Sequence, residues 1–379
     1  MAKTTQIIAL FFCCLHIACA PEELRLGAER TEVYLPLLEG QKIGVVSNQS
    51  SLIGSTHLVD SLLSLEVEVV KVFSPEHGFR GTADAGAMVA DGLDVQTGLP
   101  IVSLYGSNKK PSPEQLEGIE VLLFDIQDVG ARFYTYISTL HYVLEAAAEN
   151  GIKVMVLDRP NPNGHYVDGP ILDTAFQSFV GMHPIPIVHG MTIGEYAQMI
   201  NGEGWISSPC ELAVIPMLSY NRMMPYHLPV KPSPNLPNAR AVNLYPSLCL
   251  FEGTSVSVGR GTAHPFQQFG APYLKSEYSF TPQSGAGSKY PKHENEVCYG
   301  TDLRVPEDNL SGINLHWLVD AYQQCPEKES FFNAFFDKLA GTDALRNQIV
   351  AGKTAEEIKA SWDAALVEFS ERRRTYLLY

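Results

Sequence analysis

Residues 69–81 read Val-Val-Lys-Val-Phe-Ser-Pro-Glu-His-Gly-Phe-Arg-Gly, an apolar run that ends in a cluster of polar side chains. The β-branched run predicts a buried strand, and Glu76, His77 and Arg80 follow directly after it. In open α/β sheets, ligands bind beside the carboxyl ends of the strands. The stretch therefore predicts a parallel sheet with a site at its edge, where Glu76 is the catalytic candidate and His77 and Arg80 are binding candidates. The alternative is a solvated turn in which Glu76 and Arg80 pair locally.

Further apolar runs and helical segments alternate along the first 215 residues. The predicted strands are 42–47, 101–105, 121–126, 153–157 and 210–215, and the predicted helices are 57–65, 111–116, 134–150 and 193–201. Such alternation is typical of a parallel sheet covered on both faces. The predicted fold class is therefore α/β, a Rossmann-like, doubly wound and mostly parallel sheet. No G-x-G-x-x-G or Walker loop accompanies it, so the sequence argues against NAD and ATP, and we expect no cofactor.

The pattern changes at the proline-rich segment 231–237, which predicts a turn or crossover. Beyond it we expect irregular strand and loop at 245–261 and helices at 315–324, 329–339 and 354–374. The predicted organisation is a Rossmann-like catalytic domain at 30–240 and a smaller C-terminal α+β domain at 241–379, which completes the cleft.

Residues 1–20 resemble an export signal, with Lys3, an apolar core and a small-residue cleavage region around Cys19. Cleavage before Cys19 would leave a lipid-anchored protein, and cleavage after Ala20 would not. The expected location is outside the cytoplasm, either periplasmic or as a membrane-anchored lipoprotein. The oligomeric state cannot be derived from the sequence.

The net charge and the cysteine spacing argue against nucleic-acid binding and against a metal site. The formal net charge of −15 argues against a nucleic-acid partner, because phosphate backbones are bound by clustered Lys and Arg. Four cysteines follow the signal segment: Cys210, Cys249, Cys298 and Cys325. Their wide spacing allows disulfides or buried free thiols but offers no paired metal ligands, so no metal site is predicted.

A second polar cluster follows the strand at 121–126. It contains Asp125, Asp128, Arg132 and Tyr134. Asp125 and Asp128 bracket a strand end and are expected near Glu76, where Asp125 is a second catalytic candidate. Asp128, Arg132 and Tyr134 are substrate-binding candidates. Helix capping and pairing with Arg132 are the alternative roles for the two acids.

Other candidates lie later in the chain. Asn161 follows a strand and suits sugar hydroxyls, and His189 is expected either to line the cleft or to be a hydrogen-bonded core histidine. Glu252 is another catalytic candidate, and Arg260, between two glycines, is an anion-binding candidate. An exposed salt bridge is the competing interpretation for Glu252 and Arg260.

Taken together, five motifs resemble those of the NamZ-type exo-β-N-acetylmuramidases. They are Asn-Gln-Ser at 48–50, Ser-Pro-Glu-His-Gly at 74–78, the segment 124–132, Asp-Arg-Pro-Asn-Pro at 158–162 and Glu-Gly-Thr at 252–254. The resemblance implies a Rossmann-like domain with a smaller C-terminal domain, and a glycosidase that removes N-acetylmuramic acid from the non-reducing end of peptidoglycan fragments. It places the family's essential glutamate at Glu76. The expected partners are peptidoglycan-derived muropeptides or disaccharides.

Glycoside hydrolysis needs a protonated acid and usually a second carboxylate, about 5–5.5 Å away in retaining enzymes and about 6.5–9.5 Å away in inverting ones. Glu76 is the expected acid. Asp125, then Glu252, is the expected second group, and assistance by the substrate's 2-acetamido group is a third possibility. Arg260, Arg132 or Arg80 would bind the lactyl carboxylate of muramic acid. An esterase or amidase, or a non-catalytic sugar-binding lipoprotein, are the alternative functions.

Overall fold

The computed structural model describes residues 23–80, 91–305 and 309–379. The predicted signal segment, with Cys19, lies outside these residues. Within them the strands are β1 (Ile43–Ser47), β2 (Leu52–Ile53), β3 (Thr56–His57), β4 (Val69–Ser74), β5 (Gly92–Leu93), β6 (Pro100–Ser103), β7 (Val121–Asp125), β8 (Lys153–Leu157), β9 (Leu212–Ile215), β10 (Gln268–Ala271), β11 (Tyr278–Phe280) and β12 (Cys298–Asp302).

Helices fill most connections between these strands and form much of the C-terminal region. They are α1 (Thr31–Leu38), α2 (Leu58–Ser64), α3 (Pro113–Leu116), α4 (Tyr136–Asn150), α5 (Ile193–Gly202), α6 (Ala239–Leu248), α7 (His316–Gln324), α8 (Lys328–Phe331), α9 (Phe336–Ala340), α10 (Ala344–Val350), α11 (Ala355–Ala360) and α12 (Asp363–Arg373). In the part of the chain that the structure describes, no helix is both long enough and apolar enough to span a bilayer.

The central sheet has the strand order β5-β6-β4-β1-β7-β8-β9. All neighbours are parallel except the edge strand β5, which runs antiparallel to β6. The chain builds outward from β1 through β4 and β6, then returns to the other side of β1 with β7. Ligands of such sheets bind where the order reverses, at the carboxyl ends of the strands. The predicted α/β fold class is confirmed, and the reversal lies between β1 and β7.

Alternating side chains of the sheet build two apolar layers. Leu122 and Phe124 of β7 face the layer that contains α4 and α5, while Val121 and Leu123 face the layer that contains α1 and α2. This period of two is the geometry of any strand, and here both faces are covered. A residue that continues β7 therefore belongs to one layer or the other according to its position.

Two local sequence features set the ends of helices. Thr192 and Glu195 form a reciprocal capping box at the start of α5. Gly151 ends α4 in the left-handed conformation, with φ of 66°, which glycine adopts without the steric cost of a Cβ.

The C-terminal part combines a three-stranded antiparallel sheet, in the order β10-β12-β11, with short helices. The expected strand and loop at 245–261 is wrong at its beginning, because residues 239–253 form α6 and a following 3₁₀ turn. The Asn238 side chain caps α6 by accepting from the Ala241 N–H, and the helix accommodates Pro246. This helix runs across the predicted boundary at 240. The helices expected at 329–339 and 354–374 are each divided in two.

All four cysteines after the signal segment are buried free thiols, the second of the two expected possibilities.

Candidate active site

Glu76 lies just beyond β4, and hydroxyl groups from neighbouring elements surround it. Its side chain is half-buried, and the Thr135 hydroxyl, just before α4, donates to the Glu76 carboxylate with an Oγ1–Oε2 distance of 3.5 Å. Burial raises the pKa of the Tyr105 phenol, just after β6, and the nearby Glu76 carboxylate raises it further through its charge and through hydrogen bonding. A carboxyl group in this setting is both held in place and open to solvent on one side, as proton transfer to a ligand requires.

The turn after Glu76 contains a strained backbone position. His77 has a φ of 73° and Gly78 a φ of 80°, and the Gly78 N–H donates to the Pro75 carbonyl at 3.2 Å. The left-handed region is costly for a residue with a Cβ, and such positions concentrate at functional sites. His77 itself is buried. The predicted binding role of His77 is therefore supported only by its place in the turn that presents Glu76.

Two phenols respond to the charge of Glu76. Burial, followed by the negative charge of Glu76, raises the pKa of Tyr105 to about 12. The same two causes raise the pKa of Tyr136, the first residue of α4. Both hydroxyl groups therefore stay protonated at neutral pH and act as donors.

The Asn-Gln-Ser motif after β1 connects two strand ends. The Asn48 Oδ1 accepts from the Ser50 N–H at 2.9 Å and from the Ser50 hydroxyl at 2.6 Å. The Ser50 hydroxyl accepts from the Gln127 N–H at 3.0 Å, and the Ser51 hydroxyl donates to the Asp125 carbonyl. These bonds fix the loop after β1 against the loop after β7, at the point where the strand order reverses.

Asp125, the first-choice second carboxylate, does not face Glu76. It continues the layer of Val121 and Leu123, whereas Glu76 contacts residues around the start of α4 on the opposite face. Both of its oxygens accept from Arg159, with an Nη2–Oδ2 distance of 2.8 Å, and both side chains are fully buried. We therefore correct the expectation: this geometry is that of a buried structural ion pair and does not fit a second catalytic group.

Arg80 is also committed to structural partners. All three of its nitrogen atoms donate to two carboxylates, Asp60 on α2 and Asp94 in the loop after β5, at 2.7–3.1 Å. These bonds hold the pKa of Asp94 well below its usual range. Because Arg80 already forms ion pairs with two carboxylates, it does not fit the predicted role of binding the lactyl carboxylate of a substrate.

Arg132 joins the two parts of the chain. Its Nη1 donates to the carbonyls of Pro170 and Ile185, and its Nη2 donates to those of Leu339 and Ala340 at the end of α9. The side chain has no exposed surface, and burial lowers its pKa to about 9. A guanidinium enclosed by carbonyls is unavailable to substrate, so this expectation is also corrected to a structural role.

Asp128 and His189 meet in the interior. The Asp128 Oδ2 accepts from the Gly130 N–H at 2.7 Å and lies 3.9 Å from the His189 Nε2. The His189 Nδ1 accepts from the Met191 N–H, and burial lowers its pKa to about 3, so the ring is neutral. Both residues are almost fully buried, which favours the hydrogen-bonded core role for His189.

The Asp128 carboxyl makes the stability of the fold depend on pH. Burial raises its pKa to about 7, against an ordinary value of 3.8 that the unfolded chain recovers. Between about pH 4 and pH 7 the folded protein therefore holds one proton more than the unfolded chain at this group. Its contribution to the free energy of unfolding decreases as the pH rises through that window.

Replacing Asp128 with asparagine should remove this dependence. We compare the free energy of unfolding of Asp128→Asn with that of the wild type at each pH. The difference should favour the variant by about 1–3 kcal/mol more at pH 8 than at pH 4, because the amide cannot ionise. Urea unfolding of both proteins at the two pH values measures the difference. A gap between variant and wild type that is the same at pH 4 and pH 8 would contradict the assignment.

Tyr134 anchors the proline-rich segment 231–237. Its buried hydroxyl donates to the Pro232 carbonyl at 2.7 Å, and the Tyr136 and Gln49 side chains donate to the same oxygen at 3.4 Å and 3.3 Å. Asn235, in the same segment, donates to the Gly287 carbonyl of the C-terminal part at 2.8 Å. The segment thus lies against the carboxyl edge of the sheet, and the role of Tyr134 is to hold it there.

Asn161 packs against Gly130 rather than facing solvent. Its side chain donates to the Met191 carbonyl at 2.8 Å and accepts from the Asn163 N–H at 2.8 Å. A Cβ at Gly130, where φ is 77°, would stand 2.1 Å from the Asn161 Oδ1, so only glycine fits. Asn161 therefore does not fit the predicted contact with a sugar. Its contact with Gly130 joins the motif at 158–162 to the segment 124–132.

Glu252 and Arg260 pair with each other in the C-terminal part. The Arg260 Nε donates to the Glu252 Oε2 at 2.9 Å, both side chains are about one quarter exposed, and the guanidinium lies over the ring of Phe266. Tyr245 contacts both Phe266 and Tyr134 through ring edges. This pair therefore reaches the N-terminal part through an aromatic cluster, and Glu252 stays a prediction for the second carboxylate.

Several residues at the carboxyl edge of the sheet were not among the predicted site residues. They are Tyr105, Thr135 and Tyr136 beside the carboxylate, Asn48 in the loop after β1, and Arg159 against Asp125. Tyr105 could have been found with the strand-end argument that found Glu76, because it follows β6. The partner of Asp125 could not, since its identification requires knowing which face of the sheet Asp125 occupies.

In the described ranges, no three His, Cys, Asp or Glu side chains converge as metal ligands would. A doubly wound sheet without a nucleotide loop, with a half-exposed carboxylate among hydroxyl donors at its carboxyl edge, defines an α/β enzyme of the acid–base type.

Two family models match nearly the whole chain. The exo-β-N-acetylmuramidase NamZ N-terminal model matches residues 43–240, and the corresponding C-terminal model matches residues 243–379. The chain belongs to this family, and the resemblance inferred from the motifs is confirmed. It is accordingly a glycoside hydrolase.

A curated relative and two solved structures agree with this assignment. Peptidoglycan β-N-acetylmuramidase NamZ of Bacillus subtilis is 41% identical over 377 residues, covering 91% of this chain and 89% of the relative. Two DUF1343 family proteins from Bacteroides fragilis match with TM-scores of 0.88 and 0.83, at 47% and 29% identity. Each match covers 94% of this chain and 99% of the Bacteroides fragilis chain.

Proposed function

We propose that the protein hydrolyses the β-1,4 bond of the terminal non-reducing N-acetylmuramic acid in peptidoglycan fragments, with Glu76 as the acid. The family models and the name of the Bacillus subtilis relative support the substrate. The observation that carries the residue assignment is the half-buried Glu76 carboxylate, which lies among hydroxyl groups at the carboxyl edge of the sheet, beyond the strand next to β1. The function serves turnover and recycling of the cell wall.

In this mechanism the protonated Glu76 carboxyl donates its proton to the glycosidic oxygen as the bond to the anomeric carbon breaks. Water then adds to the anomeric carbon and gives up one proton to a carboxylate of the site, Glu252 or the ionised Glu76, which yields free N-acetylmuramic acid and a fragment shortened by one sugar. The departing proton leaves a carboxylate, and the Thr135 and Tyr105 hydroxyl groups are in position to stabilise it. Glu252 is the proposed second carboxylate, with the substrate's 2-acetamido group as the alternative.

Recognition of the lactyl carboxylate falls to Arg260 in this proposal. Of the three arginines predicted for it, Arg80 and Arg132 are committed to other partners. Within the described residues, Arg260 has one hydrogen bond to Glu252, through Nε, and it remains partly exposed. Its outer nitrogen atoms form a fork that suits a carboxylate.

The proposed location is outside the cytoplasm, in the periplasm or attached to a membrane through a lipid on Cys19. The charged start, short apolar core and small-residue cleavage region of segment 1–20 support export. A peptidoglycan substrate is consistent with this location.

Product identification tests the function. We expect the purified protein to release N-acetylmuramic acid from a disaccharide in which this sugar is β-1,4-linked to N-acetylglucosamine, and to leave the disaccharide of reversed order intact. Mass spectrometry of the reaction mixtures identifies the sugars, and a chromogenic ester assay run in parallel detects esterase activity. Recovery of both disaccharides unchanged, or cleavage of the ester alone, would overturn the proposal.

A further inference from the structure

Tyr105 and Glu76 leave neighbouring strands at the same level. Strands β4 and β6 pair in parallel with Ser74 opposite Ser103, and the Leu104 N–H extends the ladder by donating to the Ser74 carbonyl at 2.8 Å. Glu76 and Tyr105 each lie two residues beyond that pair. The register of the sheet therefore brings the two chain segments that carry these side chains out at the same level of adjacent strands.

The phenol is in the right state and environment to act on the carboxylate. Tyr105, like Glu76, is half-buried, and the phenol is close enough to the carboxylate for both the charge of Glu76 and hydrogen bonding to it to act on the phenol. Its pKa, raised to about 12 by burial and by the charge of Glu76, keeps the proton on the phenol oxygen. The phenol is thus the donor and the carboxylate the acceptor.

Two donors from different elements approach one carboxyl group. Thr135 precedes α4 and reaches Oε2, while Tyr105 comes from the end of β6. A carboxyl group held from two sides cannot rotate freely, so the orientation of its proton toward a bound glycoside is set before substrate arrives.

We propose that Tyr105 is a positioning residue for the reaction, whose hydroxyl orients the Glu76 carboxyl and stabilises the carboxylate left after the proton is donated. This inference rests on the proposed role of Glu76. It adds a residue outside the five sequence motifs, located on the strand next to the one that carries the acid.

The test is the pH dependence of kcat for Tyr105→Phe, measured on the disaccharide of N-acetylmuramic acid and N-acetylglucosamine. We expect kcat to fall about 10-fold, the effect of losing one hydrogen bond to a charged group, with little change in KM. We also expect the alkaline limb of the profile to move to higher pH, because the loss of a donor favours the protonated carboxyl. Tyr105→Met, which also lacks a donor, replaces the variant if phenylalanine prevents folding.

Tyr142→Phe is the matched control. This partly buried tyrosine lies on α4 and stacks on Phe179, away from the carboxylate, and its profile should equal that of the wild type. If the alkaline limb of the Tyr105→Phe profile is unshifted, the inference about Tyr105 is overturned. The proposed function still stands in that case, provided that Glu76→Gln is inactive. If Glu76→Gln itself turns over the disaccharide normally, the proposed function of Glu76 fails instead.

Discussion

Glu76→Gln should lower kcat on the disaccharide by about 10²–10⁴-fold, the usual contribution of a general acid, and should leave the fold unchanged. The amide has the shape of the carboxyl group and keeps an acceptor for Thr135, but it has no proton to give to the leaving oxygen. A 10³-fold loss corresponds to about 4 kcal/mol of transition-state stabilisation. Steady-state kinetics with the released sugar as the readout measures it.

A second substrate separates the possible roles of Glu76. An aryl glycoside of N-acetylmuramic acid with a p-nitrophenol leaving group needs little protonation, so a general-acid variant loses much less activity on it than on the disaccharide. Equal losses on both substrates would instead indicate a nucleophile. The control is Glu145→Gln, which should retain activity. Glu145 is a partly buried glutamate of α4 and pairs with Lys110. Normal turnover of both substrates by Glu76→Gln would refute the assignment.

Asp125→Asn should destabilise the protein by about 3–5 kcal/mol, because it leaves the Arg159 guanidinium buried without its counter-charge. Both side chains are enclosed, so water cannot replace the lost carboxylate. Urea unfolding followed by circular dichroism gives the change in the free energy of unfolding. The double variant Asp125→Leu with Arg159→Met should recover much of the loss, since no unpaired charge then remains inside.

Asp302→Asn provides the comparison, because Asp302 pairs with Arg304 in partly exposed surroundings and its loss should cost less than about 1 kcal/mol. An Asp125→Asn protein as stable as this control would refute the structural role. The same experiment bears on catalysis. A well-folded Asp125→Asn protein that has lost its turnover would restore Asp125 as the second carboxylate.

The sequence predicts the central sheet well because its strands are buried on both faces. Such strands form continuous β-branched runs, and the run at 153–157 gives β8 with the expected bounds. The position of Glu76 follows from the same logic, since parallel strands bring their carboxyl ends to one edge. The predicted strand and loop at 245–261 is wrong over 245–253, because Pro246 indicates a break, whereas the Asn238 cap and the apolar packing of α6 override it.

The roles of individual side chains were harder to predict, because they depend on partners distant in sequence. Asp125 and Arg159 are 34 residues apart, and Arg132 binds carbonyls about 207 residues away. A polar residue after a strand can face the crevice or the interior, and one position along the strand decides between them. The left-handed conformation of His77 is likewise not predictable from the sequence, because few residues other than glycine adopt it.

The contacts of the Arg132 guanidinium have a consequence for how the protein unfolds. By binding the last carbonyls of α9 from within the N-terminal half, the guanidinium makes the two halves share one interior. We expect the two halves to unfold together, because separating them would break the two bonds from Arg132 to α9 and would expose apolar side chains that both halves bury in one core. The chain is therefore expected to unfold as one cooperative unit, although two separate family models cover its two parts.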